Sequence, residues 1–250
     1  MNQPNLFAVY FGHGERGERY ARLARVLEYS ARQHCKDWSV SVRYIEPPSY
    51  VSNMQNPSHV WNTQKLKEWK DAVLDAQDGE RILLIDGDMM ILKPLDDIWE
   101  RSFDIAYTIR ESGRLPLNGG VVFVRVTDKS RAFVESWWDQ NLRFLSDAKS
   151  HAIWRQKYAG INQSAFGYVL ERVQHGCSLL TVPCQQWNCE NTEWAHFDEK
   201  TRIVHVKSKL RRALFGLCTP GSSEKRLISI WMKLESEAIG ELHAVSGHVD

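Results

Sequence analysis

Arg81-Ile-Leu-Leu-Ile-Asp-Gly-Asp-Met-Met-Ile-Leu92 is the stretch whose reading decides the fold. Ile82 to Ile85 is an unbroken apolar run with no helical stripe, which suits a strand buried on both faces of a sheet. The run stops at Asp86-Gly87-Asp88. Two carboxylates then stand at the carboxyl end of a central strand, with a glycine between them that lets the backbone turn. Open α/β sheets place their ligands in that crevice. Two acids one residue apart are too costly to bury unpaired. A hard divalent cation, Mn²⁺ or Mg²⁺, shared with substrate phosphate oxygens, is their natural partner. Two other readings share the look. One is a surface turn rich in Asp and Gly. The other is the Asp-x-Asp of phosphatase-type enzymes, which sits on a first strand before Gly-Thr; here two strand candidates come earlier and Met89-Met90 follow, so it ranks lower.

The chain has 250 residues, 43% of them hydrophobic and 25% charged, an ordinary globular composition. The expectation is one domain over residues 1–250, since no linker-like composition break interrupts it. A net charge of +1 singles out neither nucleic acid nor an acidic substrate. No apolar run nears the roughly 18 residues of a membrane span. Met1-Asn-Gln-Pro-Asn5 lacks the basic and apolar regions of a signal peptide, so a soluble, cytoplasmic protein is expected. The five cysteines, Cys35, Cys177, Cys184, Cys189 and Cys218, lack Cys-x-x-Cys spacing, and reduced thiols are the expectation over a metal cluster with His175 and His196.

The flanking elements fit a nucleotide-binding sheet. Asn5 to Gly12 reads as a first strand, and Gly12-His-Gly-Glu-Arg-Gly17 opens a helix with Tyr20, Leu23, Leu27 and Ala31 on one face. Ser39 to Ile45 reads as a strand ended by Glu46-Pro-Pro48, followed by an irregular loop to Pro57 and a helix from Ser58 to Ala76. That helix offers Trp61, Leu66, Trp69, Val73 and Leu74 to the core, and carries Lys65 one turn before Trp69. A helical lysine is more often a solvated charge. Beyond Asp88, Met89 to Leu92 stays extended until Pro94, Leu95 to Trp99 makes a helical turn, and Phe103 to Ile109 is a strand.

Asn118-Gly-Gly120 precedes another apolar strand. An Asn-Gly hairpin is the structural reading, but no alternating strand leads into it. Asn118 is therefore read as pointing into the site, with Gly119 and Gly120 letting a ligand approach the backbone. Thr127-Asp128 caps a helix to Leu145 with Phe133, Trp137, Trp138, Leu142 and Leu145 as its buried stripe. Asn162-Gln163 falls in the first turn of a helix from Gly160, where the amides suit sugar hydroxyls or helix capping equally. Leu179 to Val182 and Arg202 to Val206 read as short strands, and Ser222 to Ala238 as a last helix before a loose tail. His205 ends its strand just before Lys207, Lys209, Arg211 and Arg212. An imidazole folded beside Asp88 completes a Mn²⁺ sphere, and the basic cluster suits a pyrophosphate.

Taken together, these residues resemble a nucleotide-sugar glycosyltransferase of the A-type fold, and among those the retaining transferases related to glycogenin. The resemblance runs from Leu6 to Leu210 as an ordered series of short matches. Thr63-Gln-Lys-Leu66 ahead of the Asp-Gly-Asp strand looks like that family's Thr-x-Lys-Leu helix ahead of its DxD motif. Asn118-Gly-Gly120 looks like its Asn-Ser-Gly or Asn-Ala-Gly, and Gln185-Gln-Trp-Asn188 after Pro183 resembles its Leu-Pro-x-x-Tyr-Asn. The resemblance implies a single α/β domain with a mixed, mostly parallel central sheet flanked by helices, its nucleotide-binding part over about residues 5–126 and its acceptor-side part over about 127–240. It implies donor binding by Lys65, Asp86, Gly87, Asn118 and Gly119, with Phe11 beside the donor, Tyr20 beside the base and Lys209 near the diphosphate. It further implies metal ligation by Asp86, Asp88 and His205, and roles at the reacting centre for Asn162, Gln163 and Lys207. Two departures matter. The family has Asp-Gln where this chain has Asn162-Gln163, which weakens a covalent aspartyl route. Its Gly-x-x-Lys-Pro-Trp after the histidine is absent, leaving Lys207 and Lys209 as the nearest substitutes.

The implied reaction is metal-dependent transfer of a hexose from a nucleoside diphosphate sugar, UDP-linked by resemblance, to a hydroxyl acceptor. A saccharide acceptor is the first expectation and a nucleic acid the second. Two rivals remain. One is a sugar-phosphate nucleotidyltransferase, whose glycine-rich basic loop Gly12 to Gly17 could imitate; the other is an inactive nucleotide-sugar-binding module.

Overall fold

A computed structural model describes residues 3–46, 56–110 and 116–246. Most of the loop expected before Pro57, the residues between Arg110 and Pro116 and the end of the tail lie outside that range.

The strands are β1 (Asn5–Tyr10), β2 (Ser39–Tyr44), β3 (Arg81–Asp86), β4 (Met89–Ile91), β5 (Ile105–Ile109), β6 (Leu117–Arg125), β7 (Leu179–Pro183) and β8 (Ile203–His205). Six of them form one sheet in the order β2-β1-β3-β6-β5-β7. β6 runs antiparallel to both neighbours and the remaining pairings are parallel. The helices are α1 (Gly14–His34), α2 (Pro57–Leu74), α3 (Asp128–Ser146), α4 (Ala148–Arg155), α5 (Gly160–Arg172), α6 (Cys184–Trp187), α7 (Ser208–Leu214) and α8 (Ser222–Ser246).

The unbroken apolar run of β3 has a direct explanation. Successive strand residues face opposite ways. Ile82 and Leu84 pack with Leu66 and Trp69 of α2 and with Phe133 and Trp137 of α3. Leu83 and Ile85 pack with Leu27 and Ala31 of α1 and with Trp99 and Trp187. Both faces are covered, so neither can be polar. A third apolar cluster joins Leu23 and Val26 of α1 to Leu210 of α7 and to Leu227 and Trp231 of α8. That cluster holds α7 over the carboxyl ends of the central strands.

Three sequence expectations need correction. Leu142 is 40% exposed; the buried stripe of α3 is Phe133, Val134, Trp137, Asn141 and Phe144, a register that leaves Leu142 outside the 3.6-residue repeat. Trp61 turns away from the core and into a cleft. Asn118-Gly-Gly120 lies inside β6 and does not precede it. There the β5–β6 register jumps, Tyr107 facing Val122 and Thr108 facing Asn118, so Gly119 and Gly120 bulge out of the β5 ladder. α4 was not foreseen; Asp147 caps it, its carboxylate accepting from the amides of Lys149 and Ser150.

Candidate functional site

The Asp-Gly-Asp turn moves the chain from one sheet to another. β3 ends at Asp86, Gly87 packs closely on β1, and β4 leaves to pair antiparallel with β8. In that small ladder Met89 faces His205, and the Val206 amide donates to the Asp88 carbonyl at 2.8 Å. A histidine far away in sequence is thereby set beside both acids by backbone pairing alone. His205 Nε2 lies 3.2 Å from Asp88 Oδ1 and 3.8 Å from Asp86 Oδ2. One ligand atom from each of the three residues falls within 4.8 Å of the others.

Each acid has its outer oxygen held by a cation. Lys65 Nζ bonds Asp86 Oδ1 and sits over the Trp69 ring at 4.3 Å. Lys65 is 8% exposed, so the solvated-charge reading fails for it. Arg211 Nη1 donates to Asp88 Oδ2 at 2.8 Å and to the Tyr20 hydroxyl at 2.8 Å. Burial alone would raise the Asp88 carboxyl; His205, Arg211 and Lys65 outweigh it and hold that group well below the ordinary carboxylate range. Tyr20 is pushed upward by burial and by Asp88.

The proton on His205 can be placed by following its neighbours. Thr108 Oγ1 lies 2.7 Å from the Asn118 carbonyl, which can only accept, so the hydroxyl donates there. Thr108 must then accept from Asn188 Nδ2 at 2.9 Å. That turns Asn188 Oδ1 toward His205 Nδ1 at 3.1 Å, and Nδ1 is the donor. Nε2 is thereby the ring nitrogen turned toward the two carboxylate oxygens, the one that would offer its lone pair to a cation. Three electron-rich atoms converging in a buried corner is the chemistry of a divalent-cation site. A carbonyl-anchored histidine is the usual means of fixing such a ligand. The donor set therefore fits Mn²⁺ or Mg²⁺.

Gly120 completes the corner. A Cβ there would meet Asp86 Oδ2 at 2.8 Å, Met89 Cε at 2.9 Å and His205 Cε1 at 3.2 Å. Only a glycine lets β6 back directly onto two of the three ligand residues, Asp86 and His205.

These groups floor a cleft of about 260 Å³ lined by Phe11, Tyr20, Lys65, Asp86, Gly87, Asp88 and His205 among the expected residues, and by Arg16, Trp61 and Arg211 besides. Phe11 and Trp61 meet edge to face at 4.9 Å, and the Arg16 guanidinium lies over Trp61 at 4.6 Å. Asn118, Gly119, Asn162 and Gln163 do not line the cleft; they form a second group, behind the ligand residues, next to Gly120, which packs on Asp86 and His205. Gln163 Oε1 accepts from the Gly119 amide at 2.8 Å while its Nε2 donates to the Ala159 carbonyl at 2.6 Å. Asn162 Nδ2 donates to the Asn62 carbonyl at 2.7 Å, tying α5 to α2. Asn118 Oδ1 accepts from the Gly120 amide at 3.1 Å.

Lys207 and Lys209 are in neither group. Lys207 bonds the buried Glu190 at 2.8 Å, and Lys209 bonds Glu224 at 3.1 Å on the outside of α7. The cation that the basic cluster sends to the acids is Arg211. A run of four cations cannot show which one a short helix turns inward, so nothing in the local pattern marks Arg211. Arg16 and Trp61 were hidden in a glycine turn and in an apparent core position. Asn188 was visible as part of a motif but not as the partner of His205. The glycine turn itself closes on its own backbone: a Cβ on Gly12 would meet Gly17 Cα at 2.7 Å, and Gly12 has φ +154°. All five cysteines are unpaired thiols.

No protein-family model and no curated protein sequence matches the chain. Solved structures do match its fold. A glycosyltransferase involved in the glycosylation of the major capsid of PBCV-1 superposes with a TM-score of 0.55 at 16% identity, over 82% of this chain and 95% of that one. The galactosyltransferase LgtC, in complex with donor and acceptor sugar analogs, gives 0.59 at 11% identity over 93% of this chain and 95% of that one. The glycosyltransferase GlyE of Streptococcus pneumoniae TIGR4 gives 0.58 at 14% identity, over 98% of this chain but 65% of GlyE. What these proteins share with the chain is its fold: a single α/β domain with a mixed, mostly parallel sheet flanked by helices, the fold of the A-type glycosyltransferases.

Proposed function

We propose that the protein is a metal-dependent glycosyltransferase that moves a hexose from a nucleoside diphosphate sugar to a hydroxyl acceptor. The observation that carries this reading is the convergence of Asp86 Oδ2, Asp88 Oδ1 and His205 Nε2 at the carboxyl end of β3, on the floor of a cleft walled by aromatic rings and guanidinium groups. Ligands of open α/β sheets bind at that end of the strands.

The cleft offers a place for each part of the donor. Phe11, Tyr20 and Trp61 give faces for a planar base, and Arg16 adds charge above Trp61. Lys65 and Arg211 present positive charge to a diphosphate. A divalent ion held by Asp86, Asp88 and His205 would be Mn²⁺ or Mg²⁺, and when bound it supplies fixed positive charge for the departing diphosphate. Preorganised charge of this kind typically lowers a barrier by about 3 kcal/mol per group. Gln163 braces the β6 bulge against α5, which positions the Asn118-Gly119 backbone for the sugar. UDP as the nucleotide and retention at the anomeric carbon follow from the glycogenin-type resemblance. Asn162 is a neutral amide whose nitrogen is bonded to Asn62, so a covalent intermediate on it is chemically disfavoured, and front-face attack assisted by the leaving phosphate suits the site better.

Gly12 and Gly17 pack on each other's backbone and not around an open phosphate cradle, which favours transfer over nucleotidyl chemistry. The test is to incubate the protein with a panel of UDP-sugars and Mn²⁺, with and without chelator, and with UTP plus sugar 1-phosphates. Metal-dependent release of UDP is expected; pyrophosphate from UTP instead would replace this reading with the nucleotidyltransferase.

A further inference from the structure

We propose that Arg211 is a built-in counter-ion that makes divalent-ion binding conditional on the diphosphate. This inference rests on the metal site described above. Asp86 and Asp88 together carry two negative charges. Lys65 and Arg211 carry two positive ones, each bound to the carboxylate oxygen that points away from His205. The corner is thus close to neutral before any ion enters. A cation arriving alone meets three good donor atoms but little net attraction. An anionic diphosphate arriving with it restores the balance.

The two counter-ions differ in how they are held. The Lys65 side chain is 10% exposed and sealed over Trp69, whereas the Arg211 side chain is 31% exposed and lines the cleft. Arg211 rests on the Tyr20 ring at 5.1 Å, and its bonds to Tyr20 and Asp88 both leave from Nη1. A guanidinium carries five donors in a planar fork, so it can keep Asp88 while its other edge meets phosphate oxygens. Its placement is a product of the fold. α7 is entered through Ser208 in the left-handed conformation at φ 48°, and Leu210 is buried under α8, which directs the next residue to Asp88.

Coupling of this kind is reciprocal: whatever factor the nucleotide adds to metal affinity, the metal adds to nucleotide affinity. The measurement is the Mn²⁺ dissociation constant from the free-ion electron paramagnetic resonance signal, with Mn²⁺ alone and with saturating UDP. In the native protein UDP should tighten Mn²⁺ by about tenfold or more, within the usual range of coupling between sites. Arg211→Met should bind Mn²⁺ alone about tenfold tighter, because a unit charge a few ångströms away has gone. In that variant UDP should add less than about threefold, and UDP itself should bind more weakly. Arg211→Lys, which keeps the charge but not the fork, should bind Mn²⁺ alone as weakly as the native protein does, and Arg211→Gln provides a second neutral variant should the Met protein fail to fold. Neutral variants that bind Mn²⁺ no tighter than the native protein overturn the counter-ion role while leaving the metal site standing, as does native protein that binds Mn²⁺ and UDP independently. Native protein that binds no Mn²⁺ with or without UDP overturns the site itself and this inference with it.

Discussion

Replacing Gly120 by Ala tests the geometry of the corner with one carbon atom. In an open strand this change is mildly favourable, because alanine loses less backbone freedom than glycine on folding. Here the new Cβ would stand 2.8 Å from Asp86 Oδ2, 2.9 Å from Met89 Cε and 3.2 Å from His205 Cε1. Met89 is flexible and can yield. Asp86 is tied to Lys65, and His205 is tied to Asn188 and to the β4–β8 ladder, so neither can move without breaking a bond. Overpacking a tight site costs about 1–3 kcal/mol, and here the strain falls on two of the three ligand residues. We expect Gly120→Ala to melt lower than the native protein and to bind Mn²⁺ in the presence of UDP at least tenfold more weakly, on the scale of losing a fixed ligand orientation. Gly119→Ala is the control. Its Cβ would meet only Gln163, at 3.3 Å from Cγ, the flexible part of a side chain that can shift. It should keep metal binding within about threefold. Calorimetric titration and thermal melts on both variants read this out. Equal Mn²⁺ affinity in Gly120→Ala and native protein would refute the close-packed corner.

Asn188→Ala removes the acceptor that fixes the His205 tautomer and should weaken Mn²⁺ binding about 10- to 100-fold; titration that matches the native protein would contradict the assigned proton. Glu190 is buried between Lys207 and Arg110, and although burial alone would raise it, those cations lower its carboxyl from 4.5 to about 2. Its ionisation therefore adds stability on the order of 3 kcal/mol above about pH 4.5, lost as pH falls toward 2. Urea melts of native and Glu190→Gln protein should differ by about that amount at pH 7 and converge below pH 4.5; a gap that stays constant with pH would show the pairing to be wrong. Burial pushes Cys35 and Cys189 up to about 12, so a thiol reagent at pH 8 should reach them only after unfolding, with Cys177 and Cys218 reacting first.

The sheet was legible because β3 reads as an apolar run with an abrupt acidic stop, and both features have one cause: two covered faces and a ligand-side end. The acids and His205 were legible as residue types at strand ends. What brings them together is the Met89–His205 register, a pairing between segments over a hundred residues apart that no local pattern encodes. Lys65 could be suspected but not distinguished from a solvated lysine, because its partner sits on another element. The identity of the inward cation was illegible for the same reason: Lys207, Lys209, Arg211 and Arg212 look alike until Leu210 is buried and fixes which side of α7 faces the cleft. Asn118-Gly-Gly120 was read as a site entrance and is instead a bulge within β6, since strand continuity through two glycines depends on what packs against them.

The most direct test of the metal corner is anomalous diffraction from crystals grown with Mn²⁺ and UDP. We expect one manganese peak within ligand distance of Asp86 Oδ2, Asp88 Oδ1 and His205 Nε2, with the diphosphate beside it, and the peak gone in Asp88→Asn. A peak bound elsewhere, or a diphosphate in the cleft with no metal beside those three atoms, would contradict it.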